Sequence, residues 1–212
     1  MSDETLPIFP LGLVLLPGLP LPLHIFEDRY KDMVARCLDD NVEFGVLFYD
    51  GTKLRSRGCL ARIEQILKTY DDGRLDIITV GTDRFRVEEM DTSAAYMQAR
   101  IKRYTDSDID DDLSDLRDEA IERLRAFVDL GERSIDMVTL ESLDATALSF
   151  LIAGTDAFEA HEKQRLLEIS STRERLQRCV EALEGTLERL RLNRRIREII
   201  GTNGHIPDAF GP

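Results

Sequence analysis

Residues 6–26 have the sequence LPIFPLGLVLLPGLPLPLHIF, the least polar stretch of an otherwise highly charged chain. The stretch holds five of the seven prolines of the chain: Pro7, Pro10, Pro17, Pro20 and Pro22. A membrane helix of about 20 residues would not tolerate that many lost N–H donors and ring clashes. The preceding MSDET has two acidic residues and no basic one, so a signal peptide is not expected either. The stretch therefore predicts short extended strands, because proline is accepted at strand ends, edges and turns.

The pattern that follows predicts a sheet interrupted by one early helix. Strands are predicted at residues 6–9, 11–16, 19–25, 43–49, 58–70, 75–80, 85–90 and 96–104. Apolar residues at helical spacing predict the helix at 27–39. Turns are predicted at Pro17-Gly18, at residues 71–74 and at Gly81-Thr82-Asp83. Many consecutive strands with tight turns favour a barrel-like, mainly antiparallel sheet.

Beyond residue 104 the apolar period changes to that of helices, which makes the fold class α+β. We predict a β-rich unit at 1–104, an acidic linker at 105–112 (TDSDIDDD), a helical unit at 113–200 and a flexible tail at 201–212. The linker is expected to be a solvated hinge, with capture of a divalent ion as the alternative, although the calcium-loop pattern is absent. The last helix, about 172–200, has an apolar seam of roughly two heptads. Intramolecular bundle packing is expected for that seam, with intermolecular pairing as the alternative.

Charge and cysteine content limit the possible partners. The formal net charge is −13; residues 1–104 carry 17 acidic and 14 basic side chains, whereas residues 105–212 carry 24 and 14. Such a chain is a poor candidate for binding DNA or an anionic membrane, since both attract Lys and Arg. Cys37, Cys59 and Cys179 lack metal-ligand spacing and are expected to be buried, reduced thiols of a cytoplasmic protein.

No motif for catalysis, cofactor binding or metal binding is recognisable in the sequence. An ATP-binding loop and a nucleophile elbow are both missing. His24, His161 and His205 lie in three unrelated settings, which argues against a metal site. A Cys–His pair of Cys37 or Cys59 with His24 has no local signature to support it. Neither an enzyme nor a cofactor is expected.

The order of motifs resembles the N-terminal, substrate-recognition domain of Lon proteases. The similarity begins with LPIFPLGLVLLPGLPLPLHIFEDRY and continues through EFGVL (43–47), GCLARIEQIL (58–67) and RLDIITVGTDRFRV (74–87). It extends to the helical run ALSFLIAGTDAFEAHEKQRLLEISSTRERLQRCVEALEGTLERL. The resemblance implies a PUA-like pseudobarrel followed by a helical bundle that ends in a long helix. Lon proteases also contain an ATPase domain and a Ser–Lys peptidase dyad, neither of which is recognisable here, so the chain is expected to be a stand-alone, non-catalytic Lon-domain protein.

The resemblance implies a module that binds exposed apolar or unfolded polypeptide segments, linked to protein quality control. Leu15, Leu16 and Leu19, around the Pro17-Gly18 turn, are the predicted contact residues, with core packing as the alternative. A scaffold that dimerises or docks on a protease or ATPase through its long last helix is the second hypothesis. The chain is expected to be a monomer or a weak dimer.

RNA binding is the third hypothesis, because PUA-like folds commonly bind RNA. The basic cluster Lys53, Arg55 and Arg57 is the candidate phosphate contact, with a solvated surface loop as the alternative. The net charge of −13 opposes this hypothesis, since phosphate binding requires a basic surface.

Overall fold

The computed structural model describes residues 4–108, 112–131 and 136–202, and the first of these ranges is built around one sheet. Its strands are β1 (Glu4–Leu11), β2 (Pro20–Ile25), β3 (Phe44–Tyr49), β4 (Leu54–Thr69), β5 (Leu75–Asp91) and β6 (Gln98–Tyr104). The strand order is β2-β5-β4-β3-β1-β6, and β5 also pairs with β6. This additional pairing closes β5, β4, β3, β1 and β6 into a ring and leaves β2 as an extra strand on β5. The predicted barrel-like sheet is confirmed.

One pairing of the ring is parallel. β1 runs parallel to β3, whereas the other pairings of the described strands are antiparallel. Parallel neighbours need a crossover connection. Helix α1 (Asp28–Asp39), which was predicted from its apolar stripe, supplies that crossover and buries Tyr30, Met33, Val34 and Cys37.

The interior of the ring is filled around Phe85, whose side chain is completely buried. Two glycines make room for its ring. A Cβ atom at Gly45 would lie 2.6 Å from the Phe85 Cζ atom, and one at Gly58 would lie 2.1 Å from the carbonyl oxygen of Val46. Larger residues at these two positions would therefore force the barrel apart.

Two predictions about strands are wrong. No strand forms over residues 12–16, because the chain leaves the sheet after Leu11 and turns inward. The predicted break at Gly81-Thr82-Asp83 does not interrupt β5. Gly81 serves a close approach instead of a turn: a Cβ atom there would lie 2.2 Å from the carbonyl oxygen of Leu16.

The remaining described chain is helical. It consists of α2 (Ser114–Leu130), α3 (Met137–Ser142), α4 (Ala145–Gly154), α5 (Ala160–Glu168) and α6 (Thr172–Thr202). Helix α6 was predicted from its apolar seam, and α2 and α4 lie within the helical unit that was predicted at 113–200. The short α3 was not predicted, because six residues offer less than two full turns of periodicity. Residues 203–212 of the predicted tail lie outside the described residues.

One large apolar core joins the barrel to the helices. Met33 of α1 and Ile77 of β5 belong to the same cluster of buried side chains as Leu124 of α2, Ile152 of α4 and Leu183 of α6. A second, smaller cluster fills the ring itself. The barrel and the helices therefore exclude water from a shared interface, which restricts their independent movement.

A buried charge cluster lies at the same interface. Asp106 accepts hydrogen bonds from the guanidinium groups of Arg84 on β5 and Arg175 on α6, each at 2.5 Å. The three side chains are at most 4% exposed. One carboxylate balances only one of the two positive charges. Arg84 also donates to the carbonyl oxygens of Leu167 and Ile169, whose partial negative charge at the C-terminal end of α5 stabilises its guanidinium group. A single carboxylate thus joins β5 to α6.

The segment that contains Asp106 was expected to be a solvated hinge, and this is wrong for two of its acidic residues. Asp106 is buried, and Asp108 accepts hydrogen bonds from the backbone N–H groups of Thr172 and Arg173. These N–H groups have no partner within α6 because they lie in its first turn. The Asp108 carboxylate therefore caps the helix, and its negative charge interacts favourably with the positive end of the helix dipole. The acidic residues are therefore fixed by specific partners instead of water. Residues 109–111 of the segment lie outside the described residues.

Candidate functional site

The three leucines predicted to contact polypeptides do not form an exposed surface. Leu15 is 4% exposed and Leu16 is 1% exposed, because the chain turns inward after β1 and places both in the large core. Leu19 is partly buried and packs on α4, where a Cβ atom at Gly154 would lie 2.2 Å from its Cδ1 atom. The alternative of core packing holds for Leu15 and Leu16. A contact role for the turn stays a prediction.

A different apolar feature lies at a gap in the barrel wall. The first half of β1 pairs with β6, and Ile8 donates its N–H to the Met97 carbonyl, but Phe9 to Leu11 pair only with β3 among the described strands. β2 pairs with β5 and, in the part of the chain that the structure describes, has no strand on its other side. Between these two free edges lies a groove with a volume of about 580 Å³, called here the β1–β2 groove.

The β1–β2 groove has an aromatic floor and exposed aromatic walls. The rings of Phe9 and Tyr30 form the floor, with centroids 4.2 Å apart. Phe26 is 60% exposed and Tyr49 is 44% exposed, and both line the groove. Exposed aromatic side chains at a concave site are typical of binding surfaces, since their burial releases much water at little cost in entropy.

Charged side chains form part of the rim of the groove. The guanidinium group of Arg29 binds the Glu27 carboxylate at 2.6 Å and lies 4.6 Å from the centre of the Tyr30 ring. On the opposite side, His24 Nδ1 lies 2.5 Å from the Asp76 carboxylate, and the His24 ring stacks on Phe26. The first pair covers the buried Tyr30 and the second stacks on the exposed Phe26, while the centre of the groove stays apolar.

Prolines restrict what the free edge of β2 can bind. In an antiparallel pair, alternate residues of a strand direct their backbone groups toward the partner strand. The Gly81 N–H donates to the Leu19 carbonyl at 3.0 Å, so Leu19 and every second residue after it face β5. Pro20, Pro22 and His24 therefore direct their backbone groups away from β5, and the two prolines have no N–H to donate. The edge offers carbonyl acceptors with one donor only, at His24. A guest chain cannot form a complete β-ladder here, so side chains must supply most of the recognition.

This groove was not predicted from the sequence, for a physical reason. Phe26 and Tyr49 each lie at the end of a strand, where alternation no longer indicates which side of the sheet a residue faces. The gap itself arises from pairing between residues far apart in the chain. One signal was available, namely proline spacing of two residues in Pro20 and Pro22, which indicates a protected edge strand.

The basic cluster predicted as a phosphate contact does not form a single site. Arg55 is 3.3 Å from the carboxylate of Asp50 and 3.3 Å from the His161 ring, whereas Lys53 is exposed before β4 begins. Arg57 points elsewhere and donates to the carbonyl of Glu168 at 2.9 Å. The three cations therefore face different surroundings.

The cysteines and histidines of the described part of the chain do not come together in one site. All three thiols are buried and unpaired, as predicted. Burial raises the pKa of Cys37 to about 11 and of Cys179 to about 12, so both stay protonated and unreactive at neutral pH. His24 and His161 lie in separate environments, and His205 is outside the described residues. Within the described ranges, no helix is long and apolar enough to cross a membrane.

Comparison with known proteins identifies the family of the fold that carries these features. The model of the ATP-dependent protease La (LON) substrate-binding domain matches residues 5–185. Lon protease of Anaeromyxobacter dehalogenans is 27% identical over 207 residues, which cover 90% of this chain and 24% of that protein. Lon protease 2 of Myxococcus xanthus is 27% identical, with 91% and 25% covered. The chain thus spans about a quarter of the length of these relatives.

Solved structures show the same fold. The Lon N-terminal domain protein from Xanthomonas campestris superposes with a TM-score of 0.67 at 28% identity, covering 84% of this chain and 98% of that one. The N-terminal domain of the Mycobacterium avium complex Lon protease gives a TM-score of 0.72 at 17% identity, with 85% and 98% covered. The matched part is the substrate-binding domain and not the catalytic domain.

Proposed function

The chain belongs to the LON substrate-binding domain family, and on this basis we propose that it is a non-catalytic module that binds apolar segments of unfolded polypeptides. The observation that carries the proposal is the β1–β2 groove, with its exposed Phe26 and Tyr49. Polypeptide segments that are buried in folded proteins present large apolar side chains when they unfold. These side chains match the groove in size and chemistry.

The mode of binding follows from the edges of the groove. A complete β-ladder on β2 is blocked by Pro20 and Pro22, so main-chain hydrogen bonds contribute little. Insertion of one or two large apolar side chains against Phe9 and Tyr30 supplies the affinity. Recognition of this kind tolerates many sequences, because it requires apolar surface instead of a defined pattern of hydrogen bonds. That tolerance suits a role in protein quality control.

The proposal is tested by titrating the purified chain, without ATP, against a labelled model protein in its permanently unfolded and its folded form. We expect saturable binding of the unfolded form alone. The double variant Phe26→Ala/Tyr49→Ala should weaken it by about tenfold or more, since aromatic residues at the centre of an interface dominate affinity. Fluorescence anisotropy measures the dissociation constants.

Leu67→Ala is the matched control. Leu67 is 54% exposed on β4 and does not line the β1–β2 groove. Its truncation deletes exposed apolar surface elsewhere on the barrel and should change the dissociation constant less than twofold. Binding that is absent for both forms of the model protein, or that is weakened equally by all variants, would contradict the proposal.

A second candidate function rests on the end of α6. Leu192 is 52% exposed and Ile196 is 44% exposed, and they are one helical turn apart. Two such residues on one face could pair with a second copy of the helix or with a protease or ATPase partner. Sedimentation of the double variant Leu192→Gln/Ile196→Gln tests this function. If α6 has this role, the variant loses self-association or partner binding.

A further inference from the structure

A row of three cations crosses the outer face of the barrel. Arg57 of β4 is directly opposite Arg86 of β5, and Arg86 is directly opposite Lys102 of β6. Residues directly opposite each other on neighbouring strands share one face, with Cβ atoms about 5 Å apart. The row borders a pocket of about 370 Å³, which Tyr104, Thr105 and Ser170 also line.

The row places three like charges side by side with few acidic partners. Like charges directly opposite each other destabilise a sheet, and a chain with a net charge of −13 has many acidic residues with which to neutralise them. Only Glu88 does so among the described contacts, at 2.7 Å from Arg86. Arg57 donates to the uncharged carbonyl oxygen of Glu168. None of the described residues that line the pocket is acidic.

We propose that this pocket binds a phosphomonoester dianion through Arg57, Arg86 and Lys102. Two guanidinium groups and an ammonium group on one face match a group whose three terminal oxygens share two negative charges, and arginine binds such oxygens in pairs. The concave shape and the neighbouring hydroxyl groups suit a compact anion. The phosphate can come from a phosphorylated side chain of a polypeptide or from a free small molecule.

A nucleic acid is the less suitable ligand for this pocket. Single-stranded nucleic acids need a long basic track and open aromatic faces for the bases. The ring of Tyr104 is already covered, because the guanidinium groups of Arg57 and Arg84 lie 5.6 Å and 4.7 Å from its centre. Its hydroxyl donates to the carbonyl of Leu167, which holds the ring in this position. The overall negative charge also repels a polyanion.

The test uses the purified 212-residue chain with four probes: inorganic phosphate, a phosphoserine peptide, the same peptide without phosphate, and a single-stranded oligonucleotide. Amide chemical-shift titration at low salt reports both the affinity and the location. We expect saturable shifts at Arg86 and Lys102 with phosphate and with the phosphopeptide, and none there with the unmodified peptide. The double variant Arg86→Gln/Lys102→Gln should weaken binding at least tenfold.

Arg62→Gln is the matched control, since Arg62 is an exposed arginine of β4 that pairs with Glu64 outside the pocket. The Arg62→Gln variant should bind phosphate and the phosphopeptide with the same affinity as the wild type. Tighter binding of the phosphopeptide than of inorganic phosphate would support a phosphorylated side chain as the source, and equal binding would support a free small molecule. The proposal is overturned by shifts that do not saturate, by equal weakening in both variants or by preferential binding of the oligonucleotide. Phe26→Ala/Tyr49→Ala should leave phosphate binding intact, so this test is independent of the β1–β2 groove.

Discussion

Asp106 pairs a single carboxylate with two buried arginines, which makes the position sensitive to substitution. Its pKa reflects two opposing effects. Burial raises the pKa. Hydrogen bonds from Arg175 and Thr172 and the charges of both arginines lower it by more than burial raises it, so the pKa of Asp106 lies below its ordinary value. The guanidinium group of Arg175 has a further hydrogen-bond partner, since it donates to the hydroxyl of Ser149 at 2.7 Å. A satisfied buried network of this kind favours one arrangement of its elements.

Asp106→Asn is expected to lower the free energy of unfolding by about 3–5 kcal/mol, because it leaves two desolvated guanidinium groups without a counter-charge. Urea unfolding followed by circular dichroism measures the loss. Asp91→Asn is the control, because the exposed Asp91 at the end of β5 binds only the nearby Ser93 in the described contacts. A loss below about 1 kcal/mol for Asp106→Asn would show that the buried charge cluster is not needed for stability.

Asp108 gives the protein a measurable dependence on acid. Burial opposes ionisation, but the backbone N–H groups of Arg173 and Thr172 and the Ser171 hydroxyl outweigh it and lower the pKa to about 2. A lowered pKa in the folded state stabilises the protein above the unfolded value of 3.8, and this contribution is lost as the pH falls from about 4 to about 2. Asp108→Ala should therefore cost about 1 kcal/mol at pH 7, and less at pH 2.

Unfolding by urea at pH 7, 4 and 2 measures this difference between the wild type and Asp108→Ala. Asp118→Ala is the control, because Asp118 is 72% exposed and caps no helix; its difference from the wild type should change little between pH 4 and pH 2. A difference for Asp108→Ala that stays constant between pH 4 and pH 2 would contradict the role of the charge.

At the scale of elements, α6 changes its environment along its length. Leu176, Val180, Leu183 and Leu187 are buried against the core, whereas Leu192 is 52% exposed. The apolar seam of the sequence was predicted to pack within the bundle, and this is confirmed as far as Leu190, which is partly buried against the core. The seam shifts after that point, since the helix extends beyond the elements that cover it.

Leu187→Ala and Leu192→Ala form a matched pair on this helix. Leu187 is 2% exposed, so its truncation should cost about 2–5 kcal/mol through lost burial and a cavity. The same truncation at Leu192 should stay within about 0.5 kcal/mol, because its side chain already contacts water. Thermal and urea unfolding measure both values. Equal losses would mean that the exposed end of α6 is covered in solution, which would favour the dimer or partner interface.

Sequence patterns predicted most elements because the signals are local. The stripe of α1 and the seam of α6 repeat within a few residues, and the prolines of residues 6–26 allow little besides short strands. The failures are non-local. Gly81 suggested a turn, but it is required by the approach of Leu16, which is 65 residues away in the chain. The β1–β2 groove and the cation row depend on strand order and register, which no single stretch encodes.

At the scale of the whole molecule, the two halves of the chain share one core despite their different charge. Residues 105–212 carry most of the negative charge, and this favoured separate β-rich and helical units. In the structure, however, Leu15, Leu16 and Ile77 of the barrel pack in one cluster with side chains of α2, α4 and α6. Asp106 adds a polar connection between β5 and α6. Removing the helices would expose this apolar surface and a buried arginine of β5.

The complete chain should therefore unfold in one cooperative transition, and a fragment of residues 1–104 should not fold alone. Far-ultraviolet circular dichroism, which follows the helices, and tyrosine signals, which follow the barrel, should give the same urea midpoint, since a shared core couples the two. The fragment should show no cooperative transition, because the surface that the helices cover would contact water. Two separated midpoints, or a well-dispersed amide spectrum for the fragment, would instead establish residues 1–104 as an independent domain. The Leu67→Ala variant of the complete chain is the control, because an exposed side chain on β4 should alter neither midpoint.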